Sequence, residues 1–381
     1  MRILLVGEYS NLHNSLKQGL EMGGHEVLLL GSGDAFKQFP VDINVRGKYA
    51  QDFFLPNALR QVIFRATKYD IAFVETYWRT KRALRKLGDF DIIQLINEYP
   101  FKTPYFFERK LVKMLRKMTK KLVILGCGDD YLYLKNRHKL PYHPMDLLRG
   151  KQEFPWSALY LTEKHRIYHN WIFKQKDLLI TTDLDYHTIY RDENLSDYFG
   201  MIPNPVNLDT LTAVPFPAVA EKTVIFHGIN RSNYYKKGND LFEKALRQIK
   251  KEFGDKVKII TAESLPYSEY IKKYDAAHIV LDQTYALDQG YNALEAMAKG
   301  KVVFTGAGEA FCAFYNLPKN SVAIHTIPDA EKIAKNLQKL LRNPEKLIEI
   351  SKNARRFVEM HHDYEVIAKE YVKACKSCRS Q

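Results

Sequence analysis

The feature that most constrains this chain is a repeated alternation of short apolar runs with helix-like stretches, in two successive series. Ile3-Leu4-Leu5-Val6 is apolar throughout and stops at Gly7, as a strand buried on both faces would. Asn11 to Met22 then carries Leu12, Leu16 and Leu20 at helical spacing, Gly23-Gly24 ends it, and Val27-Leu28-Leu29-Leu30 follows. This is a strand-helix-strand unit of a doubly wound parallel sheet. The runs 71–74, 92–96, 122–125 and 178–181 extend the first series as further strand candidates. Pro203-Asn204-Pro205 breaks it, and a loop with Pro215 and Pro217 follows. The second series restarts with Val224-Ile225-Phe226, a helix over about 240–251, and runs at 257–260, 279–281 and 302–304. At 381 residues the chain exceeds one ordinary core. The expectation is α/β with two Rossmann-like domains, residues 1–205 and 206–362, with 363–381 a helix and tail packing back on the first.

Residues 99–171 depart from the rhythm and read as an insertion, with the aromatic and proline-bearing stretch 131–156 as its lid-like part. Within it, 108–121 sets Leu111, Val112, Leu115 and Met118 on one side, with Lys110, Lys113, Arg116, Lys117, Lys120 and Lys121 largely elsewhere. A basic amphipathic helix of this kind suits either an anionic membrane surface or packing on its own sheet. Lys and Arg outnumber Asp and Glu by 58 to 44, a formal charge of +14, which attracts anions. No recognised nucleic-acid motif accompanies that charge, which argues against nucleic acid as partner. No apolar run approaches the roughly 20 residues of a membrane span, and the opening MRILLVGEYS lacks signal-peptide form, so the cytoplasm is the expected location. Four cysteines suit a reducing compartment, and Cys375-x-x-Cys378 lacks the second pair a zinc site needs. No metal site is expected.

The chemistry concentrates at 282–303. Asp282 and Gln283 end a strand, Asp288 and Gly290 lie in a turn, and a helix starting near Tyr291 and Asn292 would aim free amides and a positive dipole end at phosphate. Glu295 follows one turn later, within reach of ribose hydroxyls. Upstream, Gly228 ends a strand, and Arg231 and Lys237 sit six residues apart before Gly238, placed to offset diphosphate charge.

The segment Asn292-Ala-Leu-Glu295-Ala-Met-Ala-Lys-Gly300-Lys-Val-Val resembles the LEAMA-x-G-x-P-V signature of retaining GT-B glycosyltransferases, notably glycosyltransferase family 4. Gly24-His25-Glu26-Val27, Pro203-Asn204-Pro205-Val206-Asn207 and Gly306-Ala-Gly308-Glu309 are similar to further family segments in the same order. The resemblance implies a GT-B fold with two domains facing across a cleft, the nucleotide sugar held by the second. It also implies Glu295 on ribose, Arg231 and Lys237 on the leaving diphosphate, and retention without metal or cofactor. The family's sugar-binding Glu is replaced by Leu287, which leaves Asp288, Asp282 or Gln283 for that contact. The acceptor, a glycan or lipid-linked hydroxyl, would meet the loops at Gly7, Glu8, Gly128 and Asp129. His13 and His138 are further polar candidates there. A sugar-nucleotide epimerase and a non-catalytic nucleotide-sugar-binding protein share this architecture and stand as alternatives.

Overall fold

The structure is a computed structural model and describes residues 1–34, 38–67, 70–214, 222–263 and 272–377. Two all-parallel sheets organise it. The first holds β1 (Arg2–Val6), β2 (Glu26–Gly31), β3 (Ile43–Asn44), β4 (Phe90–Leu95), β5 (Thr119–Gly126), β6 (Leu178–Thr181) and β7 (Tyr198–Met201), ordered β3-β2-β1-β4-β5-β6-β7. The second holds β8 (Thr223–Ile229), β9 (Val257–Glu263), β10 (Ile279–Leu281), β11 (Val302–Thr305) and β12 (Ile324–His325), ordered β12-β11-β10-β8-β9. The central strands are buried on both faces, which is why they read as unbroken apolar runs. Strand order reverses beside β1 and β4 in the first sheet, and beside β8 and β10 in the second. Loops at such reversals splay apart at the carboxyl ends of the strands and leave a crevice for ligands.

Two sequence expectations fail locally. Residues 71–74 do not form a strand: they open the helix Ala72–Leu84, whose buried face is Ala72, Tyr77, Thr80 and Leu84. Four apolar residues fit one helical turn as well as a strand, and only the spacing beyond them decides. The basic helix also ends earlier than read, spanning Tyr105–Lys117, so Lys120 and Lys121 belong to β5. Its apolar stripe of Leu111, Val112 and Leu115 is fully buried in the core of the first sheet, with Met118 packed against it. That stripe cannot also enter a bilayer. The helix packs on its own sheet, as its alternative reading had it.

Residues 99–171 are not one insertion. Tyr105–Lys117 is the ordinary crossover helix between the neighbouring parallel strands β4 and β5, and the departure from the alternating pattern is confined to the helical insertion between β5 and β6, over 131–172. Its anchor is Glu98, just past β4, whose carboxylate lies 2.7 Å from His165 Nε2 and 2.5 Å from His169 Nδ1 and accepts the Tyr131 N–H at 2.9 Å.

The two halves are tied where the chain crosses between them. Val206 pairs with Asp363, donating to the His362 carbonyl at 2.7 Å and accepting from the Tyr364 N–H at 3.2 Å. The closing helix Tyr364–Ser377 then lies along the first helix, Leu12–Met22. Gly19 makes that approach workable, since a Cβ there would come within 2.3 Å of the Tyr364 carbonyl oxygen. Cys375 is buried in this contact; Cys378 lies outside the described residues.

Candidate active site between the two sheets

A cavity of about 270 Å³ opens between the sheets. The second sheet contributes Asn233, Lys236, Lys237, Gln283, Tyr285, Ala286, Asp288 and Gly290 to its wall. The first contributes Gly128, Asp129, Asp183, Asp185 and Tyr186, and the insertion adds Tyr133, His143 and Pro144.

On the second-sheet side, the loops after β8 and β10 lie against each other. Gly238 adopts a left-handed conformation (φ 74°) that starts the helix Asn239–Phe253, and a Cβ there would sit 2.2 Å from Thr284 Oγ1. This close approach sets Lys237 beside β10, where its Nζ donates to Asp282 Oδ1 at 2.9 Å. The Asp282 side chain is wholly buried. It also accepts from Asn292 Nδ2 at 3.0 Å and the Thr305 hydroxyl at 3.2 Å. Asp282 and Asn292 therefore orient Lys237 and the turn, rather than lining the cavity themselves. Gly290 lines the cavity and caps the helix Tyr291–Ala298, so the positive end of that helix faces the space.

The Tyr291 side chain turns away from the cavity. Its hydroxyl donates to the Pro205 carbonyl and its ring packs against the core of the first sheet, which makes it an anchor between the halves. Glu295 is half-buried one turn further along and lies outside the cavity wall, as does Gly228 at the end of β8.

Arg231 is not brought to the cavity. It is more than half exposed and pairs with Glu263 at the end of neighbouring β9, Nε at 2.5 Å and Nη2 at 2.6 Å, with its guanidinium over the Tyr234 ring. A planar fork next to an accessible carboxylate closes both hydrogen bonds at once, and the spacing to Lys237 does not forbid it.

Asp288, in the turn before Gly290, is 6 % exposed and accepts the Leu184 N–H at 3.0 Å. Reciprocally, Asp185 accepts the Leu287 N–H at 3.0 Å. The loop after β6 and the turn after β10 thus clasp each other across the cleft. Leu287 packs against the cores of both sheets, so the residue standing for the expected Glu is an apolar plug. Asp183, Asp185 and Asp288 bring carboxylate oxygens within 4.8 Å of one another and are, among the described residues, the acidic group whose geometry suits a cation. Burial raises all three carboxyls, Asp185 to about 7; neighbouring carboxylates push Asp183 and Asp288 up further.

On the first-sheet side, Gly128 and Asp129 reach the cavity as expected from the sequence, whereas Gly7 and Glu8 do not line it. The Gly7 carbonyl lies 2.7 Å from Nδ1 of wholly buried His13. Glu8 accepts from the Asn14 N–H at 2.9 Å and Asn14 Nδ2 at 2.7 Å, and burial raises its carboxyl to about 7. Their loop is internally braced. His138 is exposed on a short 3-10 turn away from the cavity wall. His143 does line it, yet burial lowers its imidazole to about 4, so it is neutral at ordinary pH.

Lys236, which competes with Lys237 for the lysine role in the sequence but is not followed directly by the glycine, also lines the cavity. Sequence reasoning missed Asp183, Asp185 and His143 as site residues. For the two aspartates a signal existed, an Asp-x-Asp one residue after the run 178–181.

Residues 231–373 match a family described as glycosyl transferase-like. No curated protein matches the chain. Among solved structures, sucrose-phosphate synthase from Thermosynechococcus elongatus aligns over 99% of this chain and 98% of its own, at TM-score 0.64 and 16% identity. HepE from Anabaena, in complex with UDP and glucose, aligns over 99% and 100%, at TM-score 0.59 and 14% identity. A Listeria monocytogenes protein described as a UDP-N-acetylglucosamine 2-epimerase aligns over 99% and 95%, at TM-score 0.56 and 13% identity. These likenesses establish the GT-B fold over the whole chain.

Proposed function

We propose that this GT-B chain, whose C-terminal half carries the glycosyl transferase-like match, moves a sugar from a nucleoside diphosphate sugar to a hydroxyl of a glycan or lipid-linked acceptor. The observation that carries the reading is the joint placement of Lys237, Gly290 and the start of the helix Tyr291–Ala298 on the cavity at the reversal point of the second sheet. Two sources of positive potential, the Lys237 ammonium and the helix terminus capped by Gly290, meet where a diphosphate would lie. The complex of HepE with UDP-glucose, on the same fold, favours a uridine nucleotide as the donor carrier. In this reading residues 206–362 hold the donor and residues 1–205 present the acceptor through Gly128 and Asp129, with Glu295 receiving hydrogen bonds from ribose.

Breaking the anomeric C–O bond leaves the electron pair on the diphosphate, and Lys237 with the helix terminus stabilises that charge as it develops. Retention and independence of metal are part of the proposal. With Leu287 in the cores, the transferred sugar is left to Gln283 and the Asp288 turn. The acceptor hydroxyl oxygen forms the new bond to the anomeric carbon and its proton passes to the departing diphosphate, so no protein base is assigned.

Incubation with radiolabelled UDP-sugars and candidate glycan acceptors tests the reading: UDP release coupled to a labelled glycan is the expected outcome. An epimerised nucleotide sugar without transfer would favour the epimerase, the second reading, which the Listeria structure motivates. Binding without turnover would favour a nucleotide-sugar-binding protein, which the loss of the family Glu at Leu287 motivates.

A further inference from the structure

Lys236 and Lys237 adjoin one another at the cavity and are held differently. Lys237 is bound within its own half, to an Asp282 that Asn292 and Thr305 also hold. Lys236 reaches across the cleft, its Nζ 3.0 Å from both carboxylate oxygens of Asp129. The two partners differ in freedom. Asp129 is 15% exposed and takes the Ser157 hydroxyl at 2.5 Å, whereas the Lys236 side chain is 39% exposed on a flexible four-carbon stem. Burial pushes the Asp129 carboxyl up, but Lys236 and Ser157 outweigh it and hold the group below the usual carboxylate range. The lysine is thus the member of the pair that can leave. A diphosphate at the Gly290 turn offers it more negative charge than one carboxylate does.

We propose that Lys236 is a donor-binding residue held in reserve, which exchanges Asp129 for the diphosphate when the nucleotide sugar enters the cavity. The inference rests on the donor-site reading above. It makes Asp129 a competitor of the donor for Lys236, and this gives the two residues opposite effects on nucleotide affinity.

Calorimetric titration of UDP into the wild type, Asp129→Asn, Lys236→Gln and the double variant tests this, with thermal melts showing that each is folded. Asp129→Asn is expected to bind UDP about threefold more tightly or better, because the competing ion pair is gone. Lys236→Gln is expected to bind about tenfold more weakly. In the double variant the gain from Asp129→Asn should vanish, since the lysine it frees is absent. A folded Asp129→Asn that binds UDP no better than the wild type overturns the exchange, as does a gain that survives in the double variant. Absence of UDP binding by the wild type overturns the donor-site reading itself, and the exchange with it.

Discussion

Arg231 and Lys237 share one strand-to-helix loop, yet only Lys237 faces the cavity; Arg231 is closed onto Glu263. Lys237→Ala should lower turnover about 10²–10³-fold, the loss typical of a group that stabilises leaving-group charge. Arg231→Ala should cost less than about tenfold, because its surroundings are those of a surface ion pair. Equal losses in steady-state kinetics would return Arg231 to the diphosphate. Asp185 supplies a pH prediction. Burial raises its carboxyl to about 7 in the native chain, while the unfolded chain keeps the ordinary carboxylate value. The native state therefore holds the extra proton between about pH 4 and 7, and its contribution to stability falls as pH rises through that window. Asp185→Asn keeps an oxygen for the Leu287 N–H and removes the titration. Against the wild type it should gain of order 1 kcal/mol, a few degrees in melting temperature, at pH 8 and little at pH 4.5. Parallel melting curves across that range would remove Asp185 from the clasp's electrostatics.

At the scale of elements, the sheets were legible and their decorations less so. β1, β4, β5, β6, β8, β10 and β11 are fully or largely buried, and their apolar runs announce them. The helix Ala72–Leu84 was hidden because its first turn is as apolar as a strand, and β3 because two residues carry no period. The turn 282–290 and the helix behind it were legible from Gly290 and the helical pattern that follows it. What its side chains face was not: Tyr291 goes to Pro205 and Asp288 to Leu184, both set by a domain crossing that no local pattern encodes. The helix Tyr105–Lys117 carries a prediction of its own. Since Leu111, Val112 and Leu115 are buried, replacing Lys113, Arg116, Lys117 and Lys120 with Gln should leave co-sedimentation with anionic vesicles unchanged. A loss of vesicle binding in the variant, matched by a loss of wild-type binding at high salt, would show that charge alone holds this face to lipid.

Over the whole molecule, the cavity lies at the strand-order reversal of the second sheet and against the loops after β5 and β6 of the first, and its wall brings Lys236 and Lys237 together with Asp129, Asp183, Asp185 and Asp288. No helix among the described residues is long and apolar enough to cross a membrane. Chelation with EDTA is expected to leave sugar transfer intact, because in the proposed donor site lysines and a helix terminus meet the diphosphate. Loss of activity restored by Mg²⁺ or Mn²⁺ would instead place a cation on Asp183, Asp185 and Asp288. The most direct test of the central claim is a calorimetric titration of UDP into the wild-type chain and into Lys237→Ala. Saturable binding at one site per chain is expected, weakened in the folded variant by about tenfold or more, as a charge-assisted contact to phosphate would be. Absence of binding at millimolar UDP, or equal affinity in both proteins, would contradict it.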